Sequence, residues 1–186
     1  MLPVRPVQAL CRPSPGLPNQ VKMCMKTISN EWKHRMNKRL SVIGSGECGP
    51  AIAAVAERLG QLIAQNGFDL VCGGRLGVQL AACRGAKSAG GLTIGLLPGL
   101  DFSQANDFVD VPVITGLGHM RNFLVVKNGC AAVAVEGGSG TLSEIGLALK
   151  SGIPVVAIGR WSGIPGVHPA ADADEALAQV LALVNR

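Results

Sequence analysis

The chain has 186 residues, with abundant small aliphatic side chains and glycine, few aromatics and no tyrosine. That length suits one domain with a full core, and the non-periodic glycine excludes collagen-like and low-complexity architectures. The net charge of +5 is unevenly placed, since residues 1–39 hold eight basic residues against the single acid Glu31 (net +7) and residues 40–186 are net −2. The basic character belongs to the leader, so it gives no ground for a nucleic-acid partner.

Residues 1–39 contain five prolines and no sustained periodicity, and are expected to be a disordered basic leader. A basic, nearly acid-free stretch fits an organelle transit peptide, although it lacks the serine richness of that class. The alternatives are a tail, or an extension ahead of a start at Met23, Met25 or Met36. No apolar run approaches the ~20 residues that span a bilayer, so no membrane partner is expected. The six cysteines form no CxxC pair and no metal-ligand spacing; no metal site is expected, and a reducing, cytoplasmic compartment fits best.

From Leu40 onward the pattern is regular. Leu40–Gly44 predicts a strand, and Pro50–Asn66 a helix with proline suited to its first turn. Phe68–Cys72 predicts a second strand, Val78–Ala89 a helix, Leu92–Leu97 a strand, and 99–108 a loop before a strand at Val109–Ile114. Gly118–Asn128 follows as a helix whose buried face is Met120, Phe123 and Leu124. Ala131–Val135 is a strand and Thr141–Lys150 a helix, with Leu142, Ile145, Gly146 and Leu149 at the spacing of one buried face. Pro154–Ile158 is the last strand, 159–171 a Gly/Pro loop, and Asp174–Val184 a closing helix. This alternation predicts a three-layer, doubly wound Rossmann-like α/β fold over residues 40–186, with a mainly parallel sheet. Ligands of such sheets bind at the carboxyl ends of the strands.

Three glycine turns fall at those ends. Gly44-Ser45-Gly46-Glu47-Cys48-Gly49 formally matches the dinucleotide fingerprint. The acid that would bind a ribose at the end of the second strand is replaced by Cys72-Gly73-Gly74, so a tight turn or general nucleotide loop fits better. Gly73-Gly74-Arg75-Leu76-Gly77 is a second such turn, in which Arg75 either pairs with phosphate or is solvated. The third, Gly137-Gly138-Ser139-Gly140-Thr141, opens a helix, where unpaired N–H groups and the helix dipole favour an anion. Thr141-x-x-Glu144 also matches a capping box, which explains those two residues but not the three glycines and serine before them. Arg121, early in the preceding helix, is a cation at an unfavourable helix end. An anion nearby, Glu144 or a ligand, offsets that cost. His119 is expected to be only a polar turn residue.

Arg121-Asn122, the turn at Gly137–Thr141 with Glu144, and Leu70–Gly77 together resemble the Lonely Guy/molybdenum-cofactor-carrier superfamily over about residues 40–160. The resemblance implies a nucleotide-binding fold, usually a dimer or tetramer, and two possible activities. In Lonely Guy phosphoribohydrolases, which cleave the N-glycosidic bond of a nucleoside 5′-monophosphate, the residues matching Arg121 and Glu144 are catalytic. That branch carries Arg-Lys and Pro-Gly-Gly, where this chain has Arg121-Asn122 and Glu136-Gly137-Gly138. Its Arg-Asn pair and Gly-Thr-Leu-Ser-Glu are closer to the molybdenum-cofactor-carrier-like branch, whose members hold a pterin phosphate. The expected protein is therefore a carrier for a small phosphorylated ligand, with molybdenum cofactor (molybdopterin) as a candidate cargo. Gly44, Ser45, Gly46, Gly73, Gly74, Arg75, Gly77, Arg121, Asn122, Gly137, Gly138, Ser139, Gly140 and Thr141 form the expected binding set.

Overall fold

The computed structural model describes residues 39–184, and the expectations for the leader lie outside them. The elements are β1 (Arg39–Gly44), α1 (Pro50–Gln65), β2 (Asp69–Cys72), α2 (Val78–Ser88), β3 (Thr93–Leu97), β4 (Val111–Ile114), a 3-10 turn (Gly118–Arg121) leading into α3 (Asn122–Lys127), β5 (Ala131–Val135), α4 (Ser139–Lys150), β6 (Val155–Ile158), β7 (Val167–Ala170) and α5 (Ala173–Val184). The strands form one sheet in the order β4-β3-β2-β1-β5-β6-β7. Every pairing in it is parallel.

The aliphatic strands are what a sheet covered on both faces requires. Leu40, Val42, Val133 and Val135 pack with α1, α2 and α5 on one face. Ile43, Ala132 and Ala134 pack with Val125 and Val126 of α3 and Ile145 and Ala148 of α4 on the other. The predicted three-layer α/β architecture is what the chain adopts. Helices α1 and α2 cross at backbone contact distance: a methyl group at Gly60 would strike the Ala82 carbonyl, and one at Gly85 the Glu57 carbonyl.

The structure departs from the sequence reading at four places. Val167–Ala170, expected to be loop, is the seventh strand. It is short, carries Pro169 and lies at the sheet edge, where a missing N–H breaks no ladder. The helix expected over Gly118–Asn128 is a 3-10 turn followed by a short α-helix. Met120 and Phe123, expected inside, are exposed, and Arg121, Asn122, Val125 and Val126 are buried instead. In α4 the buried face is Thr141, Glu144, Ile145 and Ala148, while Leu142 and Gly146 are exposed. The spacing is as predicted, but the face is turned by one residue.

Candidate functional site

Beyond β1 the chain winds outward through β2, β3 and β4, then returns to the opposite side of β1 as β5. The sheet reverses direction there, and the carboxyl ends of β1 and β5 diverge around a crevice, the usual ligand position in this architecture. Gly44 and Val135 are partners across that junction. A side chain at Gly44 would collide with the Val135 carbonyl and Val78, and one at Gly77 with the backbone of Ser45 and Gly46. The first and second glycine turns therefore interlock, and the Val78 N–H donates to the Ser45 carbonyl at 3.0 Å.

The second turn is built to hold Arg121. A Cβ at Gly73 would overlap the Arg121 guanidinium, so glycine leaves the surface on which that cation lies. Asn106 braces the turn from below: its amide donates to the Gly74 carbonyl at 3.1 Å and to the Arg75 carbonyl at 2.8 Å. Beneath it, the buried thiols of Cys72 and Cys83 lie 3.5 Å apart. The Cys83 thiol, the Gly74 N–H and the charge of Arg121 lower the Cys72 pKa.

The third turn supplies helix α4. Its N-cap is Gly138, with no side-chain cap, so the capping-box reading of Thr141 and Glu144 is overturned. The helix begins two residues earlier than predicted, which carries both side chains inside its first turns and into the crevice. Without a cap, the N–H groups at this end lack intrahelical acceptors. Gly137, at φ +112°, packs against the Thr141 hydroxyl. Glu136 occupies the left-handed region at φ +50°, and its carboxylate lies over Gly159. The negative charge of Glu136, next to this turn, is thus directed toward Gly159 and away from the anion-binding N–H groups.

Arg121 and Glu144 meet at the centre. They are 7% and 5% exposed, and Arg121 Nη1 lies 3.4 Å from Glu144 Oε1. This is one long contact, not the bidentate geometry that makes buried Arg–carboxylate pairs strong. Arg121 Nε is buried without a hydrogen-bond partner. Burial lowers the Arg121 pKa against the pull of Glu144, although a guanidinium remains charged at any ordinary pH. Burial also raises the Glu144 pKa from the usual 4.5 to about 7, and the Arg121 charge only partly opposes it. Asn122 donates to Ser143 Oγ at 3.2 Å, and Ser143 donates to the Gly140 carbonyl at 2.7 Å.

These groups enclose a small polar cavity of about 170 Å³, lined by Gly44, Ser45, Gly46, Gln79, His119, Arg121, Asn122, Gly138, Gly140, Thr141 and Glu144. It adjoins a cavity of about 480 Å³ lined by Ser45, Gly46, Glu47, Arg75, Leu76, Gln79 and Arg121. A mainly apolar groove of about 590 Å³ runs outside, past His119, Met120, Phe123, Ser139 and Leu147. Of the residues expected at the site, Gly44, Ser45, Gly46, Arg121, Asn122, Gly138, Gly140, Thr141 and Glu144 come together in the small cavity. Arg75 faces the adjoining one and Ser139 the groove. Gly73, Gly74, Gly77 and Gly137 shape the turns and line none of the three. His119 faces both the small cavity and the groove. Gln79 and Asn106 were missed: Gln79 could have been found as the polar residue on the otherwise apolar inward face of α2, whereas nothing distinguished Asn106 within its loop. Among the described residues no cluster of metal-ligating side chains forms, and no helix is long and apolar enough to cross a membrane.

Fold and crevice define a Rossmann-like α/β protein with its cleft at the carboxyl edge of a parallel sheet. Residues 37–182 match the SLOG cluster4 family, and the chain belongs to that family, within the Lonely Guy/molybdenum-cofactor-carrier-like superfamily. An uncharacterized protein of Archaeoglobus fulgidus is 43% identical over 120 residues, which are 64% of this chain and 79% of that one. The molybdenum cofactor binding protein of Rippkaea orientalis superposes with a TM-score of 0.76 at 36% identity, covering 80% of this chain and 99% of that one. The Moco carrier protein of Chlamydomonas reinhardtii does so with a TM-score of 0.73 at 39% identity, covering 80% and 98%. At the level of the family, the similarity is to carrier proteins.

Proposed function

We propose that the protein binds and carries a small phosphorylated ligand, a pterin or a nucleotide, with molybdenum cofactor (molybdopterin) as the candidate cargo. One observation carries the reading: a buried arginine, incompletely partnered, faces the uncapped N-terminus of α4 across a polar cavity roomy enough for a phosphate group. A phosphate there takes hydrogen bonds from the N–H groups of Gly138–Thr141, and Arg121 supplies the counter-charge. The similarity to a molybdenum cofactor binding protein and a Moco carrier protein supports the choice of cargo. Thermal unfolding with added molybdopterin or nucleoside monophosphates tests it. A ligand at a hundred times its Kd stabilises the folded state by about 2.7 kcal/mol, and folded protein that no member of the set stabilises would refute the claim.

A second reading, N-glycosidic hydrolysis of a nucleoside 5′-monophosphate, draws on the Glu144 pKa near 7, where a general acid–base works best. Here Glu144 assists water attack at the anomeric carbon and Arg121 orients the phosphate. Asn122 and Glu136, in place of the lysine and proline of that branch, favour carriage. Release of free base by the wild type that disappears in Glu144→Ala supports hydrolysis, and release that survives it sinks this assignment. The exposed Met120, Phe123 and Leu142 beside the cleft support a homo-oligomer whose partner covers the outer groove. Cys48, Cys72, Cys83 and Cys130 are free thiols, in keeping with a cytoplasmic setting.

A further inference from the structure

We propose that Gln79 determines specificity for the body of the ligand, by donating a hydrogen bond to an acceptor at the seam where the small cavity opens into the larger one. The inference rests on the small cavity being the phosphate site. Gln79 is the second residue of α2 and is 8% exposed. Its Oε1 accepts the Arg75 N–H at 2.9 Å. An N–H requires an acceptor, so this bond fixes the amide orientation and turns the NH₂ group the other way. Among the described residues Arg75 is its one hydrogen-bond partner, and the NH₂ group stays open to the cleft rather than sealed in the interior, where the side chain lines both cavities.

A nine-tenths-buried side chain, locked at its oxygen with its NH₂ directed into a cleft, is a donor set in place before binding. Packing alone gives no reason for it, because the other inward residues of α2 are Val78, Ala81, Ala82, Cys83 and Ala86. The turn that Gln79 grips is itself fixed by Asn106 through the Gly74 and Arg75 carbonyls, so the amide has a rigid anchor.

The two cavities differ in what they admit. The first, about 170 Å³, suits one phosphate group. The second, about 480 Å³, is bounded by the opposed charges of Glu47 and Arg75 and by Leu76, which suits an uncharged heterocycle carrying both donors and acceptors. The ligand class is a phosphomonoester joined to such a ring, with its acceptor at the Gln79 amide.

The test compares GMP, whose guanine shares the amino-oxo pyrimidine pattern of pterins, with inorganic phosphate, by calorimetric titration of the wild type, Q79E and Q79M. Glutamate keeps an acceptor for the Arg75 N–H but removes the donor, and its added charge weakens phosphate and GMP alike, so the ratio of the two affinities isolates the donor. The GMP-to-phosphate affinity ratio of Q79E should fall roughly tenfold or more below that of the wild type. Q79M should bind inorganic phosphate within about twofold of the wild type and bind GMP roughly tenfold more weakly. If Gln79 only props the turn, Q79E keeps the wild-type ratio of GMP to phosphate affinity, and the inference is overturned. Wild-type protein that binds phosphate but not GMP overturns it as well, leaving the phosphate site intact. Wild-type protein that binds neither removes both this inference and the carrier reading beneath it.

Discussion

Replacing Glu144 with glutamine separates two accounts of the buried pair at the centre of the site. Burial holds the Glu144 carboxyl at a pKa of about 7 against an ordinary 4.5. Below 4.5 both folded and unfolded chains carry the proton, and the group adds no pH dependence. Between 4.5 and about 7 the unfolded chain ionises while the folded one keeps its proton, so stability falls as pH rises. The loss is complete once the folded protein ionises too. At about 1.4 kcal/mol for each tenfold change in proton affinity, the full loss is about 3 kcal/mol.

Glutamine has the shape of the protonated acid and does not titrate. Urea unfolding of wild type and E144Q should therefore give similar stabilities at about pH 4, and a mutant more stable by about 3 kcal/mol at about pH 8. The opposite account treats the Arg121–Glu144 contact as a stabilising ion pair. Removing one partner of such a pair costs about 3–5 kcal/mol, so E144Q would then be the weaker protein at pH 8. The single 3.4 Å contact and the unpartnered Arg121 Nε argue for the first account. Parallel curves for the two proteins, or a less stable E144Q at pH 8, would refute it.

Three further outcomes follow from the same geometry. Phosphomonoester affinity should weaken as pH rises through about 7, because an ionised Glu144 adds negative charge to the anion's cavity, and E144Q should abolish that dependence in a titration series. Gly73→Ala places a methyl group in the space of the Arg121 guanidinium. It should cost about 1–3 kcal/mol of stability in urea and reduce phosphomonoester affinity roughly tenfold or more as the cation is displaced. Phe123→Glu, on the exposed face beside Met120, should shift sedimentation to the monomer at concentrations where the wild type associates. An unchanged oligomer would place the interface elsewhere.

The fold was legible in the sequence because aliphatic runs alternating with amphipathic segments leave few architectures open. The edge strand β7 was hidden for a physical reason. Four residues containing a proline resemble a loop until a neighbouring strand supplies the ladder, and only tertiary structure provides β6. The capping box failed differently. Thr141-x-x-Glu144 is correctly spaced, but the glycines before it adopt helical and turn conformations open to them, and the helix starts at Ser139. Local sequence gave no sign of that choice. Gln79 did interrupt the apolar inward face of α2, but its grip on the Arg75 N–H shows only in the folded chain.

The displaced faces of α3 and α4 have one cause. Periodicity assigned Met120, Phe123 and Leu142 to the core because they are apolar, whereas Arg121 was expected beside Glu144 or a ligand, and Thr141 and Glu144 in a cap or at the site. In the structure the three apolar residues are exposed and the three polar ones buried. A helix bordering a cleft satisfies two requirements at once: its polar residues turn inward toward the crevice, and its apolar residues are left outside. Arg121 and Glu144 bear a desolvation cost that packing against the sheet alone does not require. An exposed Met120, at 77%, is the other side of the same rotation. On the proposed function, an anion that satisfies Arg121 would recover the cost at the centre, and a partner covering the groove would recover the cost outside. Because the groove and the small cavity share His119, Asn122 and Gly140, a partner docking on the groove would close the wall of the proposed ligand site. Ligand binding and association are therefore expected to reinforce each other, each raising the affinity of the other by the same factor.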